Sequence, residues 1–165
     1  MSGTFIDWFV QTLPGCLLAV SLLLLAVYDV RTFLLPNILT YGLLGFGLGF
    51  AVLDGWPVVY DRLIGAVLGG AGLLVVAVGY KWLRGREGLG MGDVKLFAAG
   101  GAWVGPQGLA SILVVAGPMT LLVAFLAALI KNNKLKKDQP LPFGVGLAVG
   151  IWLVWLWGPI ESWVL

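Results

Sequence analysis

An all-α membrane protein, a bundle of about six transmembrane helices, is the fold class predicted for this chain of 165 residues. Three observations predict it. The composition is 60% hydrophobic and 11% charged, with a mean hydropathy of +1.01, far from the balance of a soluble domain. Short polar loops cut the chain into apolar runs near the ~20 residues that a helix needs to cross a bilayer. These runs are continuously apolar and rich in Leu, Val, Ala and Gly, whereas a β-barrel would show alternation over strands of about ten residues. The bundle takes up residues 1–165 as a single membrane-embedded domain, with no separate soluble unit.

The first span is predicted from about Leu13 to Tyr28 and the second from Pro36 to about Leu53, where Asp54-Gly55-Trp56-Pro57 breaks the chain. The third runs from about Leu63 to Trp82 and ends in the basic cluster Lys81, Arg84 and Arg86. Beyond it, Gly88, Gly90 and Gly92 oppose a regular helix. The fourth span, Val94 to Val104, is short and stops at Gly105-Pro106, so it begins below the headgroups or tilts against its neighbours. The fifth covers about Leu109 to Ile130 and the sixth Phe143 to about Trp157, with a lysine run at 131–137 between them. The first twelve residues carry no basic n-region and no small-residue cleavage site follows the first apolar run, which therefore reads as a retained span. Leu13-Pro14-Gly15-Cys16 has the outline of a lipoprotein cleavage box, but no apolar segment precedes it and lipidation is not expected.

Charge sets the orientation. Arg31 marks the first loop, Lys81, Arg84 and Arg86 the third, and Lys131, Lys134, Lys136 and Lys137 the fifth, while the second and fourth offer only Arg62. Basic loops stay in the cytoplasm, so both termini are expected outside. Asp29 and Asp93 then fall at the cytoplasmic ends of their spans, with Asp54 and Asp61 at the opposite face. An ionisable group at membrane depth is costly and is a functional candidate for that reason.

With no histidine and the lone Cys16, zinc, haem and Ser-His-Asp chemistries lack their main ligand or base, and no internal disulfide is available. Neither a metal nor an organic cofactor is expected. Carboxylate chemistry remains, with Asp29, Asp93, Glu87 and Asp138 as the acids on the basic side. Two aspartates held together in a low-dielectric site cannot both ionise cheaply. One keeps a proton while the other stays charged, so the pair can deprotonate a water and polarise a scissile carbonyl together. Nothing in the sequence separates acid from base. Gly90 and Gly92 would let an extended peptide approach Asp93 without a side-chain clash.

Plainer readings stand beside these. Asp93 before Val94-Lys95-Leu96 suits a helix N-cap, and Asp29 suits an interfacial residue paired with Arg31 or solvent. Glu87 and Lys95 suit solvated juxtamembrane charges, although Lys95 could tune the charge of the pair. Pro36 suits the start of the second helix, with Asn37 bonding a nearby backbone group. Gly42, Gly45, Gly47, Gly49, Gly65, Gly69, Gly70 and Gly72 read as helix-packing positions. Trp152, Trp155, Trp157 and Trp163 read as an interfacial belt. The lysine run reads as a topology determinant that attracts anionic lipid, and nucleic-acid binding is not expected of so short a loop. A net charge of +2 fixes neither the oligomeric state nor a particular partner.

Gly90-Met91-Gly92-Asp93 resembles the GxGD signature of intramembrane aspartyl proteases, and its continuation Val94-Lys95-Leu96 is similar to that of type IV prepilin peptidases. Asp29-Val30-Arg31-Thr32 followed by Leu35-Pro36-Asn37 resembles the stretch around that family's first catalytic aspartate. Leu141-Pro142-Phe143-Gly144-Val145-Gly146-Leu147-Ala148 resembles its Pro-Phe-Gly-Pro segment, with Val145 in place of the second proline. Three ordered motifs from Asp29 to Ala148 carry the resemblance over most of the chain. It implies a GxGD aspartyl protease fold and an Asp29/Asp93 dyad, supported by Gly90, Gly92, Lys95, Pro36 and Asn37. It also implies cofactor-free cleavage of the basic leader from prepilins or pseudopilins of a type IV pilus or type II secretion system, at the cytoplasmic face of the inner membrane. Many bacterial members carry an additional N-terminal region with paired cysteines and N-methyltransferase activity. This chain begins almost at the first span, and methylation by it is not expected. Two other readings are a non-enzymatic assembly or transport subunit, using the aspartates for proton binding or helix pairing, and a related protease acting on archaeal preflagellin.

Overall fold

A computed structural model describes residues 5–85, 88–130 and 142–160. Arg86, Glu87, the lysine run, Asp138, Leu141 and Trp163 lie outside the described residues. Among the described residues six helices follow one another: α1 (Phe5–Thr32), α2 (Asn37–Asp54), α3 (Trp56–Arg84), α4 (Met91–Val104), α5 (Pro106–Ile130) and α6 (Phe143–Trp157). Among the described residues there is no strand. Four stretches are long and apolar enough to cross a membrane: Thr12–Thr32, Asn37–Asp54, Trp56–Arg84 and Pro106–Ala127. The chain is an all-α, multi-pass membrane protein.

Several helices outrun their predicted bounds, each for a local reason. α3 starts at Trp56 rather than near Leu63, because Pro57 falls in the first turn, where its missing N–H has no helical partner to lose. Gly55, at φ 105°, makes the break alone. α5 likewise starts at Pro106, directly after Gly105 at φ 77°. α1 takes Pro14 within it and continues past Tyr28 to Thr32, which places Asp29 inside the last helical turn. Phe33, at φ 52°, then turns the chain, and its N–H donates to the Asp29 carbonyl at 2.9 Å. The Thr32 hydroxyl donates to the Tyr28 carbonyl at 2.9 Å and accepts from Leu34 N–H at 3.2 Å. This wound turn delivers Leu35 and Pro36 to the start of α2.

α4 begins at Met91, not Val94, and Gly92 lies within it, so the expectation that this glycine opposes helix does not hold. Its 14 residues rise only about 21 Å, less than the ~30 Å of a hydrocarbon core. The helix is instead sheathed by α2, α3, α5 and α6. Leu96, Ala99 and Ala102 on it are fully buried. Burial of so short a helix requires close neighbours, which small residues supply. A Cβ on Gly101 would run into the Gly65 carbonyl, and one on Gly65 into the Gly101 carbonyl, so α3 and α4 touch backbone to backbone. Trp103 donates its indole N–H to the Leu43 carbonyl at 2.9 Å and lies over Gly47, where a Cβ would come within 2.8 Å of the ring.

The glycine pattern divides. Gly47, Gly65, Gly69 and Gly70 sit in helix contacts as expected, whereas Gly42, Gly45, Gly49 and Gly72 meet nothing within 4 Å and face outward. The tryptophans divide too. Trp152 and Trp155 stack at 5.6 Å, and Trp155 packs on Gly15 of α1, while Trp157 points outward.

Gly101→Ala is expected to destabilise the protein by about 3 kcal/mol or more, since backbone rather than a pliable side chain opposes the new methyl. Gly45→Ala, with open space around it, is expected to be neutral or slightly stabilising. Thermal unfolding of both variants in detergent checks the contrast.

Candidate active site

Asp29 ends α1 and Asp93 begins α4, and the bundle brings these two helix ends to one side. Leu35 of the turn after α1 packs beside both Gly92 and Gly144. Leu35 Cδ1 lies 3.2 Å from where a Cβ on Gly92 would stand and 3.3 Å from the same point on Gly144. That Gly144 point is only 2.8 Å from Asp29 Oδ2. Asp29, Leu35, Gly92-Asp93 and Gly144 therefore form one cluster, drawn from α1, the α1–α2 turn, α4 and α6. The charge on Asp29 acts on the Asp93 carboxyl.

Asp29 is buried, at 5% exposure, so an aspartate paired with solvent or with the exposed Arg31 is not what forms. Its Oδ2 accepts the Val145 N–H at 3.2 Å, and Gly144 lies against the same carboxylate. The first turn of any helix has N–H groups without helical partners, and α6 starts at Pro142, which supplies no side-chain cap. A carboxylate from another helix takes that place. Gly144 is needed for it, since any side chain there would press on the Asp29 carboxyl.

Asp93 is half-buried and is not the N-cap of α4; Gly90 is. Asp93 stands three residues on and turns its carboxyl back beside Gly90. A Cβ on Gly90 would lie 3.2 Å from Asp93 Oδ2. Gly92 has Leu35 rather than open space against it, with a Cβ there falling 2.9 Å from Leu35 Cβ. The glycines of this signature thus serve contacts inside the protein: one lies beside the acid, the other admits the leucine.

Of the supporting residues, Pro36 is the N-cap of α2, as expected. Asn37 does not bond nearby backbone through its side chain: Lys95 Nζ donates to Asn37 Oδ1 at 2.7 Å. The ammonium also lies 5.2 Å from the centre of the Tyr41 ring. Lys95 is thereby turned to α2, tying the segment after Asp29 to the segment after Asp93. Asp54 and Asp61 stand at the other end, where Gln107 Nε2 donates to Asp61 Oδ1 at 3.5 Å, and a cavity of about 290 Å³ is lined by Asp54, Arg62, Trp103 and Trp155. Sequence reasoning did not find Leu35, Tyr41 or the Val145 amide. The Pro-Phe-Gly match pointed to the segment, but an amide donor leaves no mark in side-chain identity.

Residues 16–131 match the type IV leader peptidase family. The chain belongs to that family. A prepilin leader peptidase/N-methyltransferase of Aeromonas salmonicida is 39% identical over 155 residues, which cover 93% of this chain and 53% of that protein. Proteins of the same description from Pectobacterium carotovorum subsp. carotovorum and Neisseria gonorrhoeae are 40% and 32% identical over 85% and 95% of this chain. The chain spans about half the length of these leader peptidase relatives. No solved structure matches it.

Lys95→Met and Asn37→Ala are each expected to cost about 1 kcal/mol of stability, and the double variant little more than either, because both remove the same bond. Unfolding of the three variants in detergent measures that coupling.

Proposed function

We propose that this chain is an aspartyl endopeptidase that removes the basic leader of prepilins or pseudopilins, with Asp29 and Asp93 sharing one catalytic water. The observation that carries this reading is the meeting of two carboxyls, from opposite ends of different helices, in one largely buried cluster. Bringing two acids together in low dielectric is costly, and a purely structural role for either would not need the other. The descriptions of the relatives as prepilin leader peptidases point to the same activity.

The chemistry follows from the pair. With one proton between them, the ionised carboxyl takes a proton from water as the water oxygen bonds to the scissile carbonyl carbon. The protonated partner gives its proton to the carbonyl oxygen, forming a diol. On collapse the C–N bond breaks, the amine nitrogen takes a proton from the former base, and the diol returns one to the partner. The pair ends singly protonated, as it began. Lys95, Asn37 and Pro36 support it by holding the two segments together, and Gly90 and Gly92 by shaping the turn around Asp93. No cofactor enters this scheme.

Arg31, Lys81 and Arg84 lie at the helix ends on the side of the pair, which supports a cytoplasmic position for that side and an outside position for both termini. In a bacterial inner membrane a prepilin would present its leader there, just before its own hydrophobic helix. The whole chain acts as a single membrane-embedded domain, with anionic lipid as a further neighbour and no nucleic acid.

Purified chain in detergent is expected to cleave full-length prepilin to a product whose new N-terminus is read by mass spectrometry. Folded Asp29→Asn and Asp93→Asn are each expected to lose activity by about 10²-fold or more. Full activity in either variant, or no cleavage by the wild-type chain across a panel of prepilins, would replace this reading with that of a non-enzymatic membrane subunit.

A further inference from the structure

The two carboxyls are chemically alike but are held differently. Asp29 receives a backbone amide from the start of α6, the Val145 N–H at 3.2 Å, with the Gly144 backbone close beside it. Amide donors favour a carboxylate over a carboxylic acid. The Asp93 carboxyl lies beside Gly90 of its own turn. Its charged neighbour is Asp29 itself, and the cation on the same helix, Lys95, is turned away to Asn37 and Tyr41. α6 carries no charged side chain, and Leu35 of the α1–α2 turn lies beside the same point of Gly144 as the Asp29 carboxyl.

We infer that the negative charge of the pair resides on Asp29, the base that deprotonates water, while Asp93 keeps the proton and acts as the acid toward the carbonyl oxygen. Val145 is the positioning residue that holds this division, through its backbone N–H rather than its side chain. The inference rests on the endopeptidase reading above and adds to it the direction of proton flow. Position 145 bears particularly on it: a proline there, as in the Pro-Phe-Gly-Pro segment this stretch resembles, has no N–H to give. In this chain Asp29 gains a donor that proline would withhold. Proline is tolerated in a first helical turn, so Val145→Pro removes the donor at little cost to the helix.

The test is the pH dependence of kcat/KM for prepilin cleavage by the wild-type chain, Val145→Pro and Val145→Ala. Loss of a donor to the carboxylate makes Asp29 take up a proton at higher pH. If Asp29 is the base, the acid limb of Val145→Pro moves up by about one pH unit and the alkaline limb stays. Val145→Ala, which keeps its N–H, follows the wild type. Movement of the alkaline limb instead, or of neither limb, overturns the division. A second measurement needs neither a folded proline variant nor turnover. In wild-type chain carrying ¹⁵N-valine, with the signal identified by its loss in Val145→Ala, the Val145 amide shift follows the ionisation of Asp29. It is expected to complete its change below neutral pH, and a change only at alkaline pH overturns the inference. This readout survives failure of the endopeptidase reading, because a chain that cleaves nothing still reports which aspartate is charged.

Discussion

The backbone contact between α3 and α4 at Gly65 and Gly101 is the constraint on which the rest depends. α4 is too short to cross a bilayer alone and too deeply buried to face lipid, so it exists only as a filling between other helices. Two facing glycines let it sit against α3 without a side chain between them. Trp103 then locks the opposite flank by bonding the Leu43 carbonyl over Gly47. Because α4 is seated by its middle and far end, its first turn is carried to a set depth, and with it Asp93.

The site follows as a meeting of helix termini. α1 ends, α2 and α4 begin and α6 begins on the same side, and each terminus leaves backbone groups that a helix cannot satisfy internally. Asp29 meets part of that need by taking a first-turn amide of α6, and Asp93 turns back beside Gly90. The plainer reading of Asp93 as a capping residue is therefore close to its actual position, and it does not compete with a catalytic role. The same carboxyl also feels the charge of Asp29. Glycines make the space at these helix ends: Gly144 leaves room for Asp29, and Gly92 for Leu35.

Much of this was legible in the chain. Apolar runs gave the order of six helices, and the basic residues divided the loops into two sides, which put Asp29 and Asp93 together and Asp54 and Asp61 apart. The boundaries were less legible at Pro57 and Pro106, which look like breaks yet sit in first turns, where proline costs nothing. Glycine was misread in both directions. Gly92 looks like a breaker and is helical, while Gly42, Gly45, Gly49 and Gly72 look like packing positions and touch nothing, because glycine spacing along a helix does not say which face finds a neighbour. Asn37 and Lys95 were singled out separately, but their bond joins residues 58 apart in sequence.

By itself, then, the sequence determined the solvent, the helix count and the two acids, since each of these is a property of composition and of local order along the chain. Only the tertiary structure decided how the acids differ. Asp29 and Asp93 have identical side chains, and what separates them is a backbone amide that arrives from α6, more than a hundred residues beyond Asp29 in the chain. An amide is present at almost every residue, so its identity carries no information. Its direction does, and direction is set by packing.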